Sequence, residues 1–252
     1  MTDLAGRTAW VTGAGTGIGR AVAIALAREG MRVALTGRRE APLRETADML
    51  GRDDAIVLPG DLTRADDVTR MAASLGDQGP DILVNNAGVN LKRRYLHQLD
   101  PDAIRMMVDG NLTAPFLTTH AVLPAMRARG GGLIIQVASM AGKSVSFLSG
   151  PAYTAAKHGL VALSAAVNLE NGIHGIRSTC ICPGEVATPI LDLRPVPPSA
   201  EERARMLQPE DLAAMVVFAA KMPPHVCISE ILTSPTWNRN IAPQAQSVAA
   251  IP

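Results

Sequence analysis

Thr12-Gly13-Ala14-Gly15-Thr16-Gly17-Ile18-Gly19 closes a short apolar run, Thr8–Val11, and opens a helix-patterned segment, Gly17–Arg28. Glycines permit a tight turn and let the backbone come close to a ligand. The free N–H groups and the positive end of the helix that follows favour a pyrophosphate. In a featureless loop these glycines would carry little weight. Between a first strand and a helix they point to a dinucleotide.

Outward from this turn the chain keeps one rhythm. Further apolar runs lie at Val33–Leu35, Ala55–Leu58, Ile82–Val84, Leu133–Val137, Ser178–Ile181 and Ile228–Leu232. Most are rich in Val, Ile and Leu without polar alternation, as in strands covered on both faces. Helical patterns fill the gaps at Ala41–Leu50, Ala65–Leu75, Pro101–Arg129, Ala152–Asn168 and Pro209–Lys221. Alternating strand and helix predicts α/β architecture: one doubly wound domain, a seven-stranded parallel sheet with helices on both faces. Residues 1–237 form that expected domain, including a Pro-rich loop at 188–208 long enough to serve as a lid or binding loop. Residues 238–252 lack periodicity and are expected to be mobile or docked on a partner subunit.

Composition narrows the function. Of 252 residues 47% are apolar and 19% charged, with a net charge of +1. That balance is globular and carries no broad electrostatic footprint for nucleic acid or an anionic membrane. The longest apolar stretch, Leu212–Ala220, is far short of the roughly 20 residues of a membrane helix, and the first residues do not read as a targeting signal. Three cysteines make neither a disulfide framework nor an expected metal site, so the cytoplasm is the expected compartment.

The residues after the second strand bear on the nucleotide. An acid there would bind a ribose 2′-hydroxyl. The chain instead reads Thr36-Gly37-Arg38-Arg39. Two arginines suit a 2′-phosphate of roughly −1.5 to −2 charge, which predicts NADP(H) over NAD, with Glu40 as a possible counterweight. A second pattern bears on chemistry. Tyr153 and Lys157 stand four apart on a predicted helix, hence on one face. A nearby ammonium favours the phenolate and brings a phenol of pKa about 10 toward working pH. Lys157 lies among Ala155, Ala156, Gly159 and Leu160, a costly place for a cation without a role.

Taken together these motifs resemble the short-chain dehydrogenase/reductase family. Thr12-Gly13 through Gly17-Ile18-Gly19 matches its Thr-Gly-x-x-x-Gly-Ile-Gly signature. Asp61-Leu62, Asn85-Asn86-Ala87-Gly88 and Pro183-Gly184 match its motifs after the third, fourth and sixth strands. Asn111, Ser139, Tyr153 and Lys157 match its active-site set. The resemblance implies a Rossmann-type domain whose cofactor touches Gly13, Gly15, Thr16, Gly17, Ile18, Gly19, Arg38, Arg39, Asp61, Leu62, Asn86, Ala87, Gly88, Tyr153, Lys157, Pro183, Gly184, Val186 and Thr188. It implies that Tyr153 exchanges a proton with the substrate oxygen and that Ser139 orients that oxygen. Lys157 would hold the ribose, and Asn111 would position a water leading to solvent. It also implies dimers or tetramers, and a small carbonyl or alcohol substrate.

The resulting expectation is an NADP(H)-dependent carbonyl reductase or alcohol dehydrogenase. A non-catalytic NADP(H)-binding redox sensor or regulatory subunit is the alternative, for which the four-residue active-site set would be superfluous. Substrate-wall candidates are Val89, Asn90, Met140, Ser146, Phe147, Leu148, Glu185 and the Pro189–Gln208 loop. Phe147, Leu148 and Ile190 suggest an apolar ligand body, or simply packing under the loop. Glu185, facing the pocket, would disfavour anions.

Overall fold

The computed structural model describes residues 1–239. Its centre is a parallel sheet of β1 (Thr8–Thr12), β2 (Arg32–Gly37), β3 (Ile56–Pro59), β4 (Ile82–Asn85), β5 (Gly132–Val137), β6 (Ile176–Pro183) and β7 (Glu230–Thr233). The strand order is β3-β2-β1-β4-β5-β6-β7, so the winding reverses between β1 and β4. In such sheets the crevice at the carboxyl ends beside that reversal is where ligands bind.

Adjacent residues on each strand enter opposite layers of core, which is why the runs show no polar alternation. Val11, Leu35, Val84 and Ile135 pack with Leu26 of α1 (Gly17–Arg28) and Val216 near the carboxyl end of the chain. Their neighbours Trp10, Leu83 and Ile134 face the other way, against Met71, Met126, Leu160 and Val167. Trp10 is fully buried because its indole N–H has a partner, the Thr36 hydroxyl at 2.8 Å. Fully burying each large side chain stabilises by roughly 1.5–3 kcal/mol.

Around the sheet lie α2 (Glu40–Met49), α3 (Ala65–Ala73), α4 (Pro101–Val108), α5 (Ala114–Arg129), α6 (Pro151–Asn171), α7 (Ala200–Ala204) and α8 (Pro209–Lys221). Starts are encoded locally: Asp100 accepts the Ala103 N–H at 2.7 Å, and Pro101 opens α4.

One expectation needs correction. The single helix expected over Pro101–Arg129 is divided by a π-turn at Asp109–Thr113. Propensity does not signal that turn; a buried side chain within it, Asn111, is bound to the loop after β4 through the Val89 carbonyl. The loop at 188–208 carries short elements of its own. It contains a 3-10 turn at Pro189–Leu193, and Ser199 and Glu202 cap α7 reciprocally.

The last described residues pack on the domain. Trp237 lies against the Arg205 guanidinium, 4.6 Å from ring centroid to cation, and Arg239 pairs with Glu185 at 3.0 Å and Glu202 at 3.3 Å. Residues 240–252 lie outside the described residues.

Candidate active site

The ends of six strands, β1 to β6, build the site. After β1 the chain turns through Gly13 and Gly17, at φ +64° and +53°, a left-handed region that glycine enters without strain. Crowding adds a second requirement. A Cβ on Gly19 would lie 2.2 Å from the Gly13 carbonyl oxygen and 2.5 Å from Asn86 Nδ2. Gly19 therefore supports the turn by close packing and does not line the crevice. Gly19→Ala should cost about 1–3 kcal/mol through overpacking. It should also weaken nucleotide binding at least tenfold, measured by thermal melting and titration.

Thr16 is the N-cap of α1, yet its side chain makes no cap hydrogen bond. The first-turn N–H groups of α1 are thus left for an anion, the arrangement a pyrophosphate needs. Arg20 anchors the turn from behind, donating to the Gly15 carbonyl at 2.5 Å and pairing with Glu45 at 3.0 Å. The motif after β4 is tied to the same turn. The Thr12 hydroxyl accepts from the Asn86 and Ala87 N–H groups at 2.9 and 3.0 Å and donates to the Val84 carbonyl at 3.1 Å. Thr12 thereby joins the two strands across the reversal, a role its side chain does not announce in sequence.

Two cavities meet along this line. One of about 360 Å³ is bordered by Gly15, Arg38, Arg39, Asp61 and Leu62; the other, of about 290 Å³, by Gly17, Ile18, Asn86, Ser139, Tyr153 and Lys157. Gly13, Thr16, Ala87 and Gly88 border both. Asn111, Pro183, Gly184, Val186 and Thr188 complete the second wall. Every residue expected at the cofactor or catalytic site except Gly19 therefore borders one continuous crevice.

Arg38 and Arg39 are exposed, and no carboxylate among the described residues pairs with either. Glu40, the suspected counterweight, is bound instead by Arg44 at 2.5 Å. Beside the glycine turn the crevice thus keeps two guanidinium groups without a carboxylate partner among the described residues. Across it, Thr188 covers the glycine turn, its methyl 3.1 Å from where a Gly17 Cβ would stand. The residues after β7 close the back of the site. The Gly184 N–H donates to the Thr233 carbonyl at 2.7 Å, and Ser234 and Pro235 pack over Gly184.

The chemistry-bearing groups sit at the end of β5 and on the first turns of α6. Ser139 Oγ accepts the Ala141 N–H at 3.1 Å, which fixes it at the mouth of the crevice. Lys157 is 3% exposed. Its Nζ donates to the Val137 carbonyl at 2.9 Å and lies 5.6 Å from the Tyr153 ring centroid. Burial pulls its pKa down to about 8. The phenol does not behave as the sequence suggested. Burial pushes Tyr153 above its usual pKa of 10, with hydrogen bonding to Ser139 and the charges of Arg194 and Arg94 opposing. Lys157, expected to pull the phenol down, is not among the groups that oppose desolvation here.

Asn111 has a structural task beside any catalytic one. Its Nδ2 donates to the Val89 and Met107 carbonyls, each at 2.9 Å, and its Oδ1 accepts the Val89 N–H at 3.2 Å. This ties the loop after β4 to the π-turn. A Cβ on Gly88 would lie 3.0 Å from Asn111 Oδ1 and 3.8 Å from Lys157 Nζ, so the three meet at one point.

The substrate wall is only partly as expected. Asn90, Leu148, Glu185, Ile190 and Leu191 border the Tyr153 cavity; Val89 borders the neighbouring one. Phe147 does not join them: it is 84% exposed and packs on Tyr95 at 4.8 Å between centroids. Glu185 is not a free carboxylate, being bound by both Arg194 and Arg239. Arg94, Arg194 and Ser149 also line the pocket, and no local motif marks them in the sequence.

A doubly wound sheet with a phosphate-ready turn at its reversal and a Tyr–Lys helix beside it defines a dinucleotide-binding α/β protein. The chain belongs to the short chain dehydrogenase family, whose model matches residues 7–195. An uncharacterized oxidoreductase of Staphylococcus aureus (strain USA300) is 33% identical over 93% of this chain and all of its own length. A metagenomic short-chain oxidoreductase solved in complex with NADP is 32% identical, with TM-score 0.79 over 94% of this chain and 100% of its own. The closed form of serine dehydrogenase complexed with NADP+ is 31% identical, with TM-score 0.83 over 90% of this chain and 94% of its own.

Proposed function

We propose that this short-chain dehydrogenase is an NADP(H)-dependent oxidoreductase that interconverts a ketone or aldehyde and an alcohol. One observation carries the reading: Ser139, Tyr153 and Lys157 border the same crevice as the uncapped start of α1 and the two unpaired arginines. Relatives solved with NADP bound support the cofactor.

Gly13, Thr16 and the α1 N-terminus would hold the pyrophosphate, Arg38 and Arg39 the 2′-phosphate, and Thr188 the nicotinamide side. When bound, NADP(H) supplies or accepts a hydride. Ser139 orients the substrate oxygen by hydrogen bonding. Tyr153 donates a proton to that oxygen in reduction and accepts one in oxidation. Lys157, held by the Val137 carbonyl, presents its charge to the ribose and the phenol. That charge, joined by the oxidised nicotinamide, offsets the desolvation that otherwise keeps the phenol protonated.

Loss of NADPH absorbance with a panel of ketones and aldehydes tests the reading; a panel with no turnover, in either direction, refutes it. For the cofactor, Arg38→Asp should raise the KM for NADPH by about 10- to 100-fold and leave NADH equal or better, since each charge-assisted contact is worth roughly 1.5–3 kcal/mol. Wild-type preference for NAD(H) would overturn the assignment. Exposed Ile104, Met106 and Phe116 on α4 and α5 support assembly into dimers or tetramers. Light scattering on the eluted protein tests that.

A further inference from the structure

Arg94 is 5% exposed and lines the pocket that holds Tyr153. A buried cation is normally matched by an anion. Among the described residues no carboxylate lies within ion-pair distance of Arg94, and its Nε has no hydrogen-bond partner. Its guanidinium donates only to two carbonyls, Leu148 at 3.3 Å and Leu193 at 2.6 Å. Arginine stays charged in proteins and has five donors in a fork that fits a carboxylate. Several of these are left over.

Surrounding charges sharpen the imbalance. Arg194 also lines the pocket, but Glu185 is bound to it and shared with Arg239, which in turn reaches Glu202. Three arginines thus face two glutamates, and Arg94 is the one left without either. Its place relative to the reacting group is set by the backbone. Gly150, at φ +79°, abuts Arg94: a Cβ there would lie 2.7 Å from the Arg94 carbonyl oxygen and 3.0 Å from its Cβ. Gly150 caps α6, and Tyr153 stands three residues on, in the first turn.

We infer that the substrate carries a carboxylate seated on Arg94, so that the enzyme interconverts a keto acid and a hydroxy acid. This rests on the oxidoreductase reading. In reduction the carbonyl carbon takes the hydride of NADPH, its oxygen takes the Tyr153 proton, and the carboxylate is unchanged; NADP+ leaves. Half-buried Glu185 does not repel this anion, because Arg194 and Arg239 already neutralise it.

The competing account is that Arg94 only clamps the two loops whose carbonyls it holds. A matched panel separates the two: keto acids with the carbonyl at increasing distance from the carboxylate, and their methyl esters, each assayed with NADPH. The best acid should exceed its ester at least tenfold in kcat/KM. In Arg94→Met that ratio should fall to about one, a loss of at least tenfold as expected when a buried charge contact is removed; Arg94→Lys should restore part of it. The matching hydroxy acids, titrated calorimetrically into the NADP+ complex, should bind, and their methyl esters weakly. No binding of any acid, esters turned over as well as acids, or acid and ester lost equally in both variants would overturn the inference. Reduction of esters alone would leave the oxidoreductase reading intact. Acid binding without turnover of any compound would support the anion site while refuting that reading.

Discussion

Tyr153→Phe should lower kcat by about three orders of magnitude, because a positioned proton donor contributes roughly 10²–10⁴. The variant should fold and still bind NADPH. Phenylalanine keeps the ring that Lys157 Nζ approaches at 5.6 Å, and Nζ keeps its bond to the Val137 carbonyl. Only the hydroxyl and its interaction with Ser139 are lost, a net change of about 1 kcal/mol. Nothing in the glycine turn or beside Arg38 is touched. Stopped turnover with a nearly unchanged NADPH dissociation constant and a melting temperature within roughly 4 °C of wild type is the expected pattern. A variant retaining more than a tenth of wild-type kcat would remove Tyr153 from the chemistry.

Lys157→Met should act in opposite directions on catalysis and stability. The lysine is buried, and its pKa of about 8 in the fold lies below the ordinary 10.5. Such a group destabilises the fold fully below pH 8, where both states are charged and only the folded one is desolvated. Between about pH 8 and 10 the unfolded chain holds more protons, so stability rises with pH. The full penalty is about 3 kcal/mol, from which the lost hydrogen bond to Val137 takes back about 1 kcal/mol. At pH 7 the methionine variant should therefore melt roughly 4–8 °C higher than wild type. That advantage should shrink toward pH 10. Its kcat should fall about 100-fold or more, since a preorganised charge beside the phenol is gone. Thermal melts across pH together with steady-state kinetics check both halves. Equal destabilisation at pH 7 and pH 10 would show that the lysine is not held there against a desolvation cost.

The contrast explains why Lys157 was readable in sequence. A cation among Ala155, Ala156, Gly159 and Leu160 violates the apolar pattern, and its cost argues for a use. Asn111 broke no pattern. Its spacing agreed with a continuous helix, and the π-turn that buries it arises from contacts to Val89 and Met107. The direction of the Tyr153 shift was also hidden. Sequence gives the distance along a helix between phenol and ammonium, but not the desolvation that outweighs it.

Strand number, the parallel winding and the glycine turn were all legible in the sequence, because each is a local matter of period, β-branching or left-handed backbone. The positions proposed to contact the nucleotide could also be named from the sequence, since they lie at strand ends that the chain itself marks. The substrate pocket was decided only by tertiary structure. Arg94, Arg194, Glu185 and Arg239 come from distant loops and carry no shared motif. Whether each is an ion pair or an unmatched charge depends on which of them meet across space. Glu185 looked like a repeller of anions until two arginines were found on it, and Arg94 carried no signal in the sequence: its burial without a counter-ion among the described residues is visible only in the fold. Charge balance in a pocket is set by three-dimensional distances and desolvation, neither of which a linear sequence contains.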